Sequence, residues 1–244
     1  MTKFLYAAYS LASYACFLIV FLYLVAFIAN SPLIPKTIDS GSSPFGGSPV
    51  LVDLGLIALF GIQHSVMARK TFKAWWKRIV PAPVERSTYL VFSCLALAML
   101  FVFWAPIAQP VWQLDTPWLR ITVWAIFGLG WMVLLSSTFL LDHFELFGLR
   151  QVYDYWKQRY PAAPKMREPL YYAFVRHPLY SGFLLAFWAA PTMTIGHLIF
   201  AIGMTLYVLV AIRFEERDLQ ETFGERYSAY RERVGMLLPR IRAR

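Results

Sequence analysis

Apolar residues run along this chain in six blocks separated by short polar or turn-rich segments. Residues 6–29, 50–68, 87–105 and 119–141 are each close to the ~20 residues that an α-helix needs to cross hydrocarbon. Two shorter blocks, 179–195 and 196–212, meet around 191–197 with no charged residue between them. One continuous helix over both would be unusually long, and Pro191 and Gly196 bracket a turn. The pattern therefore predicts an all-α polytopic bundle of five or six spans, the last two forming a hairpin. Beyond Arg213, the spacing of Phe223, Tyr227, Tyr230 and Val234 predicts an amphipathic helix lying along the membrane surface. Residues 31–49, rich in Ser, Gly and Pro, read as a flexible external connector without chemistry.

Charge adds an orientation. Of the 23 Lys and Arg residues, 21 fall at the N-terminus, in loops 69–86 and 142–178, or in the tail, leaving Lys36 and Arg120 opposite. Such a partition predicts that the basic side, with both termini, faces the cytoplasm across the bacterial inner membrane. The tail joins that side only if the last two blocks form a hairpin. The initial apolar run is too long for a signal-peptide core and reads as a retained first span.

Composition narrows the classes. With 59% hydrophobic and 18% aromatic residues among 244, and a mean hydropathy of +0.51, the chain is too apolar for an ordinary soluble domain. Its net charge of +9 points to lipid headgroups, not to nucleic acid. Residues 1–244 fit one membrane domain, with a four-span bundle over 1–141 and a cofactor-binding region over 142–244. Cys16 and Cys94 lie inside apolar runs and read as small buried hydrophobes; no metal site is expected. Oligomeric state is not legible.

Polar side chains gather at the basic ends of the spans, where their cost near hydrocarbon favours a use. Gln63 and His64 close the second block and would line a substrate pocket. Asp142, His143 and Glu145 follow the fourth block, with Arg150 and Gln151 just beyond; Asp142, Arg150 and Gln151 would line the same pocket, and Asp142 and Glu145, three apart, would share a helix face. Arg176 and His177 precede Pro178, which suits the first turn of a helix, so free backbone N–H groups there would hold an anionic group. Arg213, Glu215 and Glu216 mark the emergence of the last span.

The ordered set Tyr172, Arg176-His177-Pro178-x-Tyr180-x-Gly182, Glu215-Glu216 and Phe223-Gly224-x-x-Tyr227-x-x-Tyr230 resembles the isoprenylcysteine carboxyl methyltransferase-like superfamily of membrane methyltransferases. It covers about the last 75 residues; Leu170 stands where that pattern usually has Gly. Gln63 to Arg69 and Asp142 to Gln151 are similar to bacterial methanethiol S-methyltransferases, a branch near the NnrU-like proteins, and extend the resemblance over nearly the whole chain. What it implies is methyl transfer from S-adenosylmethionine to methanethiol, a small volatile thiol, giving dimethyl sulfide, with hydrogen sulfide as a smaller acceptor. By position it implies cofactor contacts at His177, Pro178, Leu179 and Tyr180, with Tyr172 and Arg176 beside them and a looser strip at Lys165 to Arg167. One of Glu215 and Glu216 would bind the cofactor or face the acceptor.

A thiol must lose its proton to attack. His143 or Glu145 would accept it, with Arg213 or Arg150 favouring the thiolate and Glu216 completing the catalytic set. The alternatives are a haem-binding NnrU-like isomerase using His64, His143 or His177 as axial ligands, or a methyltransferase for a larger lipophilic thiol or carboxylate. A transporter is disfavoured, because the ionisable residues avoid the mid-membrane positions and the halves share no repeat. A non-catalytic membrane scaffold is the remaining class.

Overall fold

In the computed structural model, residues 1–159 and 165–240 are described; Arg242 and Arg244 of the basic tail lie outside that set. The helices are α1 (Thr2–Ile28), α2 (Pro49–Ala68), α3 (Lys70–Trp76), α4 (Glu85–Phe103), α5 (Pro117–Leu141), α6 (His143–Leu146), α7 (Leu149–Trp156), α8 (Pro178–Trp188), α9 (Ile195–Phe223) and α10 (Glu225–Arg233). Two short strands, β1 (Pro110–Gln113) and β2 (Thr192–Thr194), pair as a two-stranded sheet. Helices α1, α2, α5 and α9, and α4 with the turn before it, are long and apolar enough to cross a membrane. The molecule is a polytopic helical membrane bundle.

The last apolar stretch divides unequally. Helix α8 stops after 11 residues, about 16 Å at 1.5 Å per residue, too short to cross a hydrocarbon core of about 30 Å. Its C-cap, Ala189, leaves the helical region at φ −83°, ψ 76°, and Pro191 follows. The Pro191 carbonyl then accepts Leu114 N–H at 2.9 Å. The expected hairpin is thus a short helix, a strand and a 29-residue helix, tied by Trp188 Nε1–H donating to Thr205 Oγ1 at 3.0 Å.

The chain groups into two compact units. The first comprises residues 1–111, 143–163 and 194–200. In it α1 and α2 both pack on α4, and α7 lies against α1. A buried Ser10–Ser87 hydrogen bond of 2.7 Å joins α1 to α4. The connector after α1 is not the featureless linker its composition suggests. Thr37 and Ile38 are buried, Trp104 Nε1–H donates to the Ile38 carbonyl at 3.0 Å, and Thr194 Oγ1–H donates to Asp39 at 2.5 Å. Asp53 Oδ1 accepts Ala105 N–H at 2.8 Å just past the end of α4.

The second unit comprises residues 112–142, 164–193 and 201–244. Its centre is the close crossing of α5 and α8 at Gly130 and Gly182. A Cβ built on Gly182 would lie 2.6 Å from the Gly130 carbonyl oxygen. Helix α10 is amphipathic as expected, but its apolar residues do not rest on lipid. Tyr227, Tyr230 and Val234 form a buried cluster covered by Met166, Leu219 and Phe223.

Candidate functional site

In the second unit, the segment entering α8 is shaped from both directions. A 3-10 turn at Leu170–Ala173 precedes it, and Pro178 opens the helix, where a missing N–H costs nothing. The C-terminal residues 234–237 form a strap across this entrance. Arg176 N–H donates to Gly235 O at 2.8 Å, His177 N–H to Met236 O at 3.1 Å, and Ser181 Oγ–H to Leu237 O at 2.7 Å. The backbone N–H groups of Arg176 and His177 are thus taken by the tail's carbonyls, so an anion at the start of α8 would have to meet the first-turn N–H groups that follow Pro178.

The strap can sit there only with glycine at 235, where a Cβ would fall 1.9 Å from the Leu238 carbonyl oxygen. Gly235→Ala must move backbone, and with it the acceptors that hold Arg176 and His177. We expect the variant to keep its helical circular dichroism but to melt lower in detergent, losing the ~1–3 kcal/mol that an unsatisfied buried polar group costs.

The side chains of this entrance converge on Glu216 of α9. Arg176 Nε–H donates to Glu216 Oε1 at 2.7 Å, and His177 Nε2 lies 3.2 Å from the same oxygen. Arg231 Nε stands 3.4 Å from Oε2, so both carboxylate oxygens are engaged. Arg176 also donates through Nη1 to the Val234 carbonyl at 2.6 Å. The Glu216 side chain is 12% exposed, whereas that of Glu215, 3.9 Å from His177 Nδ1, is 45% exposed. Of the acidic pair, Glu216 is committed to holding the segment and Glu215 is open to a ligand.

Three tyrosines lie under this cluster. Tyr230 Oη–H donates to the Tyr172 carbonyl at 2.6 Å; burial, with the Glu168 charge next, pushes its hydroxyl up to about 12. Burial, with Glu215 next, also raises Tyr172. Burial, with Glu216 next, raises Tyr227, whose buried Oη has no hydrogen-bond partner among the described residues. All three stay protonated at neutral pH, so Tyr227 brings an unsatisfied hydroxyl close to two carboxylates and two guanidiniums. From sequence, position 227 reads as the apolar face of α10 and as part of the Phe-Gly-x-x-Tyr-x-x-Tyr pattern, with no role in the site.

Two cavities flank the entrance within this unit. A polar cleft of about 290 Å³ is lined by Arg176, Ser228, Arg231 and Glu232. An apolar cavity of about 810 Å³ lies against Val175, Pro178 and Ser181, bounded by α5, by Leu185 and Trp188 of α8, and by Leu237 to Pro239 of the tail. Arg213 is exposed on α9, and Leu179 and Tyr180 are half-buried in the first turn of α8. In the Lys165–Arg167 strip, the Met166 carbonyl accepts from Arg226 at 3.4 Å.

The other expected residues behave differently. Asp142, at the end of α5, has extended backbone (φ −175°, ψ 93°), so it does not share a helix face with Glu145, which belongs to the separate helix α6. In the first unit, His143 is buried, with Nε2 2.7 Å from Tyr14 Oη. Arg150 pairs with Asp154 at 3.2 Å, one turn along α7. Gln151 Nε2–H donates to the Glu145 carbonyl at 3.0 Å. His64 Nδ1 lies 3.0 Å from Ser93 Oγ, its ring stacked on Phe60. Gln63 reaches Met67 Sδ at 3.0 Å. The amide oxygens of both Gln63 and Gln151 are buried without a partner among the described residues. Among the described residues no three His, Cys, Asp or Glu side chains gather as a metal site.

No family model matches the chain, and no solved structure does. Among curated proteins, a methanethiol S-methyltransferase of a Pseudomonas species is 52% identical over 232 residues, covering 95% of this chain and 89% of that protein. A methanethiol S-methyltransferase of Crocosphaera subtropica is 48% identical over 233 residues, 96% of this chain and 91% of that protein. Nurim of Sus scrofa is 32% identical over 180 residues, 70% of this chain and 68% of that protein.

Proposed function

This chain belongs to the methanethiol S-methyltransferase family, and we propose on that basis that it moves a methyl group from S-adenosylmethionine to the sulfur of methanethiol, giving dimethyl sulfide. Hydrogen sulfide is a smaller acceptor of the same kind. The observation that carries the reading is the entrance to α8, where a charged cluster built on Glu216 and an apolar cavity share one short segment.

The chemistry of the donor set suits such a cofactor. S-adenosylmethionine, when bound, supplies an electrophilic methyl group on a positively charged sulfur. The half-exposed Glu215 carboxylate would take its ammonium or ribose hydroxyls. Arg231, half-exposed on the polar cleft, would take its carboxylate. Tyr227 offers a protonated hydroxyl. His177, Pro178, Leu179, Tyr180 and Tyr172 supply the remaining wall, with Arg176 and His177 fixed in place by Glu216 and the strap.

Methyl transfer to a thiolate is a displacement in which opposite charges cancel. The protein's part is to align the sulfurs and the methyl carbon and to keep water out. Pro178 and Val175 border the apolar cavity, so a small thiol would reach the segment from its dry side while the polar donor occupies the wet side. We assign the donor entrance to the cytoplasmic face of the bacterial inner membrane, because 21 of 23 basic residues fall on the side that carries it. Residues 1–244 act as one membrane methyltransferase domain in this reading.

Titrating the detergent-purified protein with S-adenosylmethionine in a calorimeter tests the donor half. Headspace chromatography after methanethiol is added tests the acceptor half. We expect saturable binding and dimethyl sulfide; binding without that product would remove the acceptor. The size of the apolar cavity, several times the volume of methanethiol, favours a second reading with a longer alkyl thiol as acceptor. A kcat/KM for octanethiol above that for methanethiol would establish it.

A further inference from the structure

The turn joining α2 to α4, in the first unit, holds more positive charge than its own residues neutralise. Residues 69–86 carry Arg69, Lys70, Lys73, Lys77, Arg78 and Arg86 against Glu85 alone. Lys70, Lys73 and Lys77 recur at helical spacing along α3 and its C-cap. The Lys73 ammonium makes no hydrogen bond or ion pair among the described residues. It is partly desolvated, and Arg86, Lys77 and Arg69 all repel it while only Glu85 attracts; burial first and that repulsion second lower its pKa.

A second feature lies on the same helix. Trp76, three residues from Lys73, stacks on Phe72 with ring centres 5.6 Å apart and meets the edge of Phe92 of α4 at 6.1 Å. Its indole Nε1–H is buried with no acceptor among the described residues. An unsatisfied donor three residues along the helix from an ammonium with more like charge than opposite charge around it calls for an oxygen-rich anion. Trp75 and Ile79 are 49% and 61% exposed, on a segment tethered at both ends to membrane-crossing helices. A tryptophan-bearing basic helix in that place belongs at the headgroup layer, where the available anion is a lipid phosphate.

We propose that the α2–α4 turn is a binding site for the phosphate of an anionic phospholipid, held by Lys73, Lys77 and the Trp76 indole N–H, with Trp75 and Ile79 set into the acyl boundary. The proposal is independent of the methyl-transfer reading, since none of these residues belongs to the donor entrance.

Native mass spectrometry and thermal melting of the full chain in detergent test it, with phosphatidylglycerol, phosphatidylcholine or inorganic phosphate added. Phosphatidylglycerol should form discrete adducts and raise Tm, while phosphatidylcholine and phosphate at equal concentration should do neither. Lys73→Gln should weaken phosphatidylglycerol binding about fivefold, the loss expected for one interfacial cation. Lys73→Arg should retain it, which separates lost charge from misfolding, and Arg217→Gln on α9 should match the wild type. Equal binding of phosphatidylcholine, equal stabilisation by inorganic phosphate, or unchanged phosphatidylglycerol binding in a folded Lys73→Gln protein would each overturn the assignment.

Discussion

Replacing Gly182 by alanine is expected to destabilise the protein, although the same exchange in an open helix normally helps by about 1 kcal/mol. The reason is the crossing of α5 and α8. A Cβ at 182 would lie 2.6 Å from Gly130 O and 2.7 Å from Leu134 N, and a Cβ at 130 would lie 2.7 Å from Ala186 N and 2.8 Å from Gly182 O. These neighbours are backbone atoms of packed helices, so relief means separating the helices and losing the dispersion contacts that hold membrane helices together. Overpacking of this kind costs about 1–3 kcal/mol, which outweighs the propensity gain. A branched side chain at 182 should prevent the pair from forming. Gly128, also on α5, has nothing within 4 Å of its built Cβ and serves as the control. Melting in detergent should show Gly182→Ala and Gly130→Ala below wild type, the double variant less than additive, and Gly128→Ala at or above wild type.

The second large effect concerns the acidic pair, whose members should part company under mutation. Glu216→Gln removes the charge facing Arg176 and Arg231. Breaking one side of a mostly buried ion pair costs about 3–5 kcal/mol, most of it from the charge left without compensation. Arg176 would then be free to leave the strap, and His177 would lose its partner. We expect methyl transfer to fall by at least a factor on the order of 10², with donor affinity and Tm falling together. Glu215→Gln should instead leave Tm nearly unchanged and raise the KM for S-adenosylmethionine, because that carboxylate is half-exposed and its contact with His177 Nδ1, at 3.9 Å, is long. If both variants lose stability equally, or if Glu215→Gln leaves donor binding untouched, the division of roles is wrong.

What the sequence made legible follows from which forces act locally. The first four apolar blocks match α1, α2, α4 and α5 within a few residues, because hydrocarbon length imposes a minimum run that composition reveals. The Arg-His-Pro segment, the acidic pair and Tyr172 were found and do come together. Less visible were features that depend on what packs against what. Residues 235–239 continue no periodicity, so nothing betrayed that carbonyls of this stretch would cross the entrance of α8. Tyr227 and Tyr230 read correctly as an amphipathic face, but pattern cannot distinguish a face covered by lipid from one covered by Met166, Leu219 and Phe223. Spacing put Asp142 and Glu145 on one helix face; the break at Asp142 is a backbone event that no hydropathy reports. The shortness of α8 was hidden for a similar reason, since Ala189 and Ala190 continue the apolar run after the helix has ended.

The central claim, that this membrane bundle moves a methyl group from S-adenosylmethionine to methanethiol, is tested most directly by isotope transfer. Purified protein is supplied with S-adenosylmethionine deuterated in its methyl group and with unlabelled methanethiol, and the headspace is analysed by mass spectrometry. The account predicts dimethyl sulfide carrying one deuterated and one ordinary methyl group, formed by the wild type and nearly absent from Glu216→Gln. Volatile product without label, or no product from a folded protein that binds the donor, would contradict it.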